Sequence, residues 1–264
     1  MEKKGGVPME PEQRIAMWKA EEEIAYIHGW DFSHIEDRYR GAENLPWNYR
    51  QAIQNILKPE MKLLDLDTGG GEFLLSLGHP LENTAATENY PPNVQLCQNT
   101  LLPMGIDFRP ADAGKQLPFR EKSFDLVIDR HGDFCAAEIF RVLKPGGWFV
   151  TQQVGADNDR ELTQLLCGDV PKPYPDQYLS IAEKQFREAG FEITDGQEAY
   201  RPITFFDVGA LVWFARIISW EFPGFAVDTH KEGLWKAQAV LEQKGCITGS
   251  THRFFLVARK PEQK

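Results

Sequence analysis

Five carboxylates and one imidazole stand where this chain is best placed to do chemistry. Asp65 and Asp67 bracket the end of an apolar run that opens directly into Thr68, Gly69, Gly70 and Gly71. An apolar helical pattern begins at Phe73, so the stretch reads as strand, tight turn and helix. Glycine is wanted at such a corner because only a residue without a side chain lets the backbone turn sharply and a ligand lie against the first helical turn. Glu88, followed by Asn89, stands 23 residues beyond Asp65, near the separation of a carboxylate that accepts both hydroxyls of a ribose. Asp112 follows a third short run, and Asp129 ends a fourth with Arg130 and His131 directly behind it. This is the chemistry of a nucleotide-like ligand held at strand ends. His131 has the right ordinary pKa for a general base, or is a ring that caps a loop and shapes a pocket.

The elements that must position these residues alternate. After Lys62 to Leu66 come Thr84 to Glu88, a run around Ile106 to Arg109, Ser123 to Asp129 and Trp148 to Val154, with helical patterns between them. One helix starts at Pro91-Pro92, and another, AAEIFRVLKPGG, is ended by Pro145 and the pair Gly146-Gly147. A helix near Tyr178 to Ala189, a strand around Phe191 to Thr194 and a closing strand RFFLVARK complete the pattern. The expectation is an α/β fold, a Rossmann-like seven-stranded, mostly parallel sheet with helices on both faces. In such sheets the ligand sits beyond the carboxyl ends of the strands, where strand order reverses.

Residues 1–58 read as an N-terminal helical segment packing on the cofactor site and partly covering it. Met17, Ala20, Ile24 and Ile27 recur there at helical spacing, GWDFSHIEDRYRG has no regular pattern, and a second helix starts near Asn44-Leu45-Pro46 with Asn44 as its cap. Residues 59–264 read as the main domain, with 200–245 a helical and aromatic insertion before the last strand. Its aromatic stretch, around Trp213, Trp220, Phe222 and Phe225, reads either as core or as a lid over an apolar or aromatic substrate.

Composition narrows the classes. With 29 basic against 39 acidic residues, a net charge of -10 and no basic block, the chain is a poor match for a long nucleic acid. Cys97, Cys135, Cys167 and Cys246 lie apart without metal-ligand spacing, as reduced thiols do, and no zinc site is expected. The first ten residues lack the apolar core of a signal peptide, and the run from Val208 to Ala215 is far short of the ~20 residues a membrane span needs. A cytoplasmic protein with no membrane partner, monomeric or homodimeric, is the expectation.

Taken in order, LLDLDTGGGEF, ATE, ADAGKQLPF, SFDLVIDRH and RVLKPGGWFV resemble the signature blocks of the class I methyltransferases that use S-adenosylmethionine, in the type 11-like, small-molecule group. The resemblance covers roughly residues 60–155, and RFFLVARK resembles the last antiparallel strand of that fold. It implies that Asp65 and the turn from Asp67 and Thr68 through Gly69, Gly70 and Gly71 hold the methionine end, and that Glu88 with Asn89 holds the ribose. Asp112 with Ala113 would meet the adenine amino group, and Asp129, Arg130 and His131 would line the methyl-transfer face. The implied activity is methyl transfer to a small-molecule acceptor, with no metal. The alternatives are a nicotinamide-dependent oxidoreductase and a cofactor-binding module without catalysis. Asp67 stands where the family has its first glycine; its side chain either crowds the cofactor or bonds its ammonium. Asp129 with Asp157 and Asn158 also resembles the magnesium ligands of catechol-type enzymes, oxygen donors of the kind that ion prefers.

Overall fold

Every residue of Leu63–Leu66 and Thr84–Glu88 is buried, as in strands covered on both faces. The computed structural model describes residues 10–26, 32–41 and 44–262. Along the chain, α1 (Pro11–Glu23), a 3-10 turn (Ser33–Arg38) and β1 (Tyr39–Arg40) precede α2 (Tyr49–Ile56). Then follow β2 (Leu63–Leu66), α3 (Glu72–Ser76), β3 (Thr84–Glu88), α4 (Pro91–Thr100), β4 (Asp107–Pro110), β5 (Phe124–Arg130), α5 (Ala136–Val142) and β6 (Leu143–Val154). The chain continues through α6 (Arg160–Cys167), α7 (Leu179–Glu188), β7 (Glu192–Phe205), α8 (Val208–Ile217), α9 (Lys231–Lys244) and β8 (Ile247–Arg259).

Two units share these elements. One comprises residues 44–156, 176–200 and 252–264, and its sheet runs β7-β8-β6-β5-β2-β3-β4. Strands β6, β5, β2, β3 and β4 are parallel, and β8 lies antiparallel on β6. One face carries Leu64, Leu66, Val127 and Phe149 against Ile139 and Phe186, the Phe149 and Phe186 rings stacked at 4.9 Å. The other carries Leu63, Leu126, Ile128 and Val150 against Ile53, Leu74, Cys97 and Leu101. Apolar residues on both faces explain why these strands read as continuous apolar runs. From β2 the chain steps outward to β3 and β4, then returns to the opposite side of β2 as β5. The strand order therefore reverses between β2 and β5.

The second unit comprises residues 10–43 of the described chain, 157–175 and 201–251. Its core gathers Trp18, Leu162, Leu166, Phe205, Trp213, Phe222, Phe225 and Leu234. Of the four aromatic residues singled out in the sequence, only Trp220 is exposed, at 43%; the other three are core of this unit.

The sheet has eight strands rather than seven. The additional one, β1, pairs antiparallel with the end of β7 through Tyr39↔Phe205 and Arg40↔Thr204. Two residues are too few to show an alternation, so the sequence carries no strand pattern there. Three boundaries also differ. Helix α2 is capped by Asn48, whose side chain accepts from Gln51 N–H at 3.0 Å, not by Asn44. Helix α5 stops at Val142 and β6 begins at Leu143, with the register jumping from Phe124↔Leu143 to Leu126↔Trp148 so that Lys144 to Gly147 bulge out. Strand β7 runs 14 residues, because from Arg201 onward it continues into the other unit. On α1 the buried residue is Trp18, whereas Met17 and Ile24 are exposed; Ile27 lies outside the described residues.

Gly71 caps α3 with φ +86, and a Cβ there would meet Leu101 Cδ2, fully buried, at 2.8 Å. Gly78, at φ +68, has nothing within 4 Å of its Cβ position. Gly78→Ala is expected to cost about 1 kcal/mol in urea unfolding for the left-handed backbone alone. Gly71→Ala adds overpacking and is expected to cost about 2–4 kcal/mol. Equal losses for the two variants would show that Leu101 moves aside freely.

Candidate functional site

The turn after β2 is held by hydrogen bonds from both directions. Thr68 N–H donates to the Thr87 carbonyl at 2.9 Å, tying the turn to β3, and the Thr68 hydroxyl donates to Asp65 Oδ2 at 2.6 Å. Glu88, buried at the end of β3, accepts from Gly69 N–H at 2.8 Å on Oε2 and from Asn89 and Tyr90 N–H at 2.9 and 2.8 Å on Oε1. Three backbone donors leave a carboxylate about one of its four lone-pair positions for a ligand. Glu88 thus builds the turn before it can hold anything on it.

Strand β5 supplies the opposite wall. Asp129 is fully buried; its Oδ1 accepts from Gly132 N–H at 3.0 Å and its Oδ2 from Gln153 Nε2 at 2.8 Å. Asp67, in a left-handed conformation at φ 45, accepts at Oδ2 from Asp133 N–H at 3.0 Å. A Cβ on Gly132 would meet Asp67 Cβ at 2.6 Å, so the loop after β5 packs directly on the glycine turn. The other oxygen of Asp67, Oδ1, is buried without a hydrogen-bond partner. Asp112 pairs with Lys115 at 2.9 Å and accepts from Gly114 N–H at 3.0 Å; a Cβ on Gly114 would run into the Asp133 carboxylate. Ala113 beside it is fully buried.

Burial dominates the electrostatics. Desolvation pushes Asp65 up to about 7 and Asp67 up to about 6, and it raises Asp129 well above the usual carboxylate range. These acids also raise one another: Asp67 and Glu88 act on Asp65, Glu88, Asp133 and Asp112 on Asp67, and Asp67 and Asp65 on Asp129. Asp112 is the exception, lowered first by Lys115. Arg130 lies with its guanidinium over the Phe73 ring at 4.6 Å. His131 takes a left-handed φ of 67 and donates its N–H to the Gln152 carbonyl at 2.9 Å. Solvent reaches its ring, yet protein crowds it; that desolvation, then Arg253 and Arg130, push its pKa down to about 3 and keep it neutral at pH 7.

The structure therefore brings Asp65, Asp67, Thr68, the three glycines, Glu88, Asp112 and Asp129 to one end of the sheet, with Asn89, Ala113, Arg130 and His131 beside them. Sequence reading missed Gly132, Asp133, Gln152, Gln153, Trp47 and Tyr49, whose hydroxyl donates to the Asp129 carbonyl at 3.0 Å. Gly132 and Asp133 adjoin a singled-out residue; the others come from distant segments that no spacing links. For the magnesium reading, both Asp129 oxygens are already hydrogen-bonded and Asp157 pairs with Lys172. Among the described residues, no cluster of three or more His, Cys, Asp or Glu could hold a metal ion.

Comparison with known proteins matches residues 64–151, the span that builds this corner, to the family model described as a methyltransferase domain. That match spans about a third of the chain. The cofactor of that family is S-adenosylmethionine. A phthiotriol/phenolphthiotriol dimycocerosates methyltransferase of Mycobacterium tuberculosis is 33% identical over 98 residues, 34% of this chain and 36% of that protein. The chain thus aligns with about a third of the length of that relative. The cycloartenol-C-24-methyltransferase of Arabidopsis thaliana is 30% identical over 198 residues, 64% of this chain and 57% of that one. In fold, a solved Bacillus halodurans C-125 protein assigned as a methyltransferase superposes with a TM-score of 0.57 at 19% identity, covering 81% of this chain and 99% of its own. No helix among the described residues is long and apolar enough to cross a membrane.

The buried acids give the methyltransferase domain a pH signature. Unfolded, Asp65, Asp67 and Asp129 ionise near pH 4. Folded, the first two hold their protons up to about pH 7 and 6, and burial likewise raises the third well above the usual carboxylate range. The folded state therefore binds more protons than the unfolded one across that window, so stability is greatest near pH 4 and falls as pH rises towards 7. Urea unfolding of the unliganded protein should show a loss on the order of a few kcal/mol across the window, and Asp65→Asn should flatten it. A stability that rises from pH 4.5 to 7 would contradict the desolvation of these groups.

Proposed function

We propose that this chain transfers a methyl group from S-adenosylmethionine to a small-molecule acceptor at the strand-end corner of its methyltransferase domain. One observation carries the reading. A buried, unpartnered carboxylate oxygen, Asp67 Oδ1, lies among acids whose pKa values burial has raised. Leaving such an oxygen unmatched costs about 1–3 kcal/mol, and a cationic N–H donor is the ligand that recovers it. S-adenosylmethionine carries an ammonium and a sulfonium, and the carboxylate acceptors here suit both.

The roles follow from chemistry. Asp67 Oδ1 accepts from the ammonium, and Asp65, held by Thr68, adds negative potential beneath it. The remaining lone pair of Glu88 accepts from a ribose hydroxyl, and Asp112 with Ala113 lies where the adenine would be met. The bound cofactor supplies a methyl group on a positively charged sulfur, already a good leaving group. What remains for the protein is to align the acceptor with the methyl carbon and to exclude water. Asp67 therefore reads as a ligand rather than an obstruction at the family's first glycine position.

Titration calorimetry of the full chain tests this directly. S-adenosylmethionine should bind and NADH should not. Asp67→Gly should weaken S-adenosylmethionine about tenfold or more, the loss of one charge-assisted bond of roughly 1.5–3 kcal/mol. Unchanged or tighter binding by that variant would remove Asp67 from the site. A screen with isotopically labelled methyl donor against oxygen, nitrogen and carbon acceptors then separates an enzyme from a binding module.

A further inference from the structure

Next to His131 stands a hydrogen-bond chain that the methyl-transfer reading does not use. Trp47 Nε1 donates to Gln152 Oε1 at 2.8 Å, and Gln152 Nε2 lies 3.3 Å from His131 Nε2. Indole nitrogen can only donate, so the Gln152 atom facing it is the carbonyl oxygen. The amide nitrogen then faces the imidazole, and since it too can only donate, His131 Nε2 must accept. An accepting Nε2 has a free lone pair, which places the ring proton on Nδ1. Protonating Nε2 would set two donors against each other. Trp47 is in turn held flat on Phe255, with ring centroids 5.8 Å apart and planes at 16°.

We propose that Trp47 and Gln152 are positioning residues that lock His131 as the neutral Nδ1–H tautomer, making it a hydrogen-bond donor to an oxygen of the methyl acceptor rather than the base that deprotonates it. The proposal rests on the methyl-transfer reading for the acceptor, and on geometry alone for the tautomer. The charged groups around the ring act in the same sense: Arg130 on β5 and Arg253 on β8 are both cationic, and β6 contributes the neutral Gln152. A neutral donor beside a guanidinium suits an acceptor that arrives as an oxyanion. Its lone pair forms the bond to the methyl carbon, the sulfur keeps the electron pair of the broken C–S bond, and no proton is left for a base to take.

Long-range proton–nitrogen correlation spectra of the full chain labelled with nitrogen-15 histidine read the tautomer without any turnover. The His131 signals are assigned by their loss in His131→Gln. The wild-type ring should show a protonated Nδ1 and a bare Nε2, unchanged from pH 8 to 5. In Gln152→Glu, Trp47 keeps its acceptor while a carboxylate oxygen now faces Nε2, so His131 should take a proton there and its titration midpoint should rise by at least two pH units. In Trp47→Phe the amide is free to turn, and the Nε2–H tautomer should appear. A wild-type ring that carries its proton on Nε2, or titrates near pH 6.5, overturns the lock, and this measurement needs no variant to fold. With S-adenosylhomocysteine present, benzoate should shift the Nδ1 signal; a signal that benzoate leaves unmoved overturns the oxyanion part. Absence of S-adenosylmethionine binding by calorimetry would overturn the methyl-transfer reading and leave the tautomer result standing.

Discussion

The site depends on a single carboxylate that spends most of its capacity on backbone. Glu88 accepts three N–H groups, one from the glycine turn and two from the entrance to α4. Without Glu88, Gly69 N–H would lose its acceptor, and the left-handed conformations of Asp67, Gly69 and Gly71 would rest only on the Thr68 bonds to Thr87 and Asp65 and on Asp133 N–H. The loop after β5 then locks onto that turn through Asp133 N–H and the close approach of Gly132. A cofactor corner built this way is rigid before any ligand arrives, which lowers the ordering cost of binding.

That rigidity is bought with charge. Asp65 and Asp129 are almost completely inaccessible; burial raises the pKa of both, and Asp65 raises that of Asp129 further. A domain that kept so many acids together for stability alone would be poorly designed, since burying an ionised carboxylate costs several kcal/mol. The arrangement makes sense if a cationic ligand completes it. The same field that raises the acids makes the corner selective for positive charge over an anionic dinucleotide, whose pyrophosphate it would repel.

Much of this was legible in the sequence, and the reasons for the rest are physical. The strand ends were legible because β2, β3 and β5 are buried on both faces and so read as short runs of apolar, small and β-branched residues that close on an acid. The corner was legible because the three glycines follow a strand and precede a helix, with further acids at the ends of the strands downstream; the glycines alone are a weak signal. What could not be read was whatever depends on distant segments meeting. Trp47 and Gln152 are 105 residues apart, and nothing local to either marks the pair. The partner of Asp67 Oδ2, Asp133 N–H, lies 66 residues further on, and no spacing marks it. The fate of the aromatic stretch needed the second unit's core, since Trp213 or Phe225 looks the same in sequence whether it faces a ligand or packs against Leu234. Helix α1 misled because Met17 and Ile24 share a helical spacing, whereas its buried anchor is the neighbouring Trp18, set edge-on against Trp235.

The chain passes between its two units five times, and strands β7 and β8 each belong partly to one and partly to the other. The order of synthesis then matters. β6 leaves the ribosome with one neighbour, β5, available, and its second, β8, is the last strand to be made. Until β8 arrives, the Phe149 side of the sheet presents an open edge, and β7 has no partner on its inner side. The sheet around β6 therefore closes only after the whole of the other unit has been translated, and its β6 edge stays unpaired during that interval. Truncating the gene anywhere before β8 would remove an interior strand rather than trim an edge.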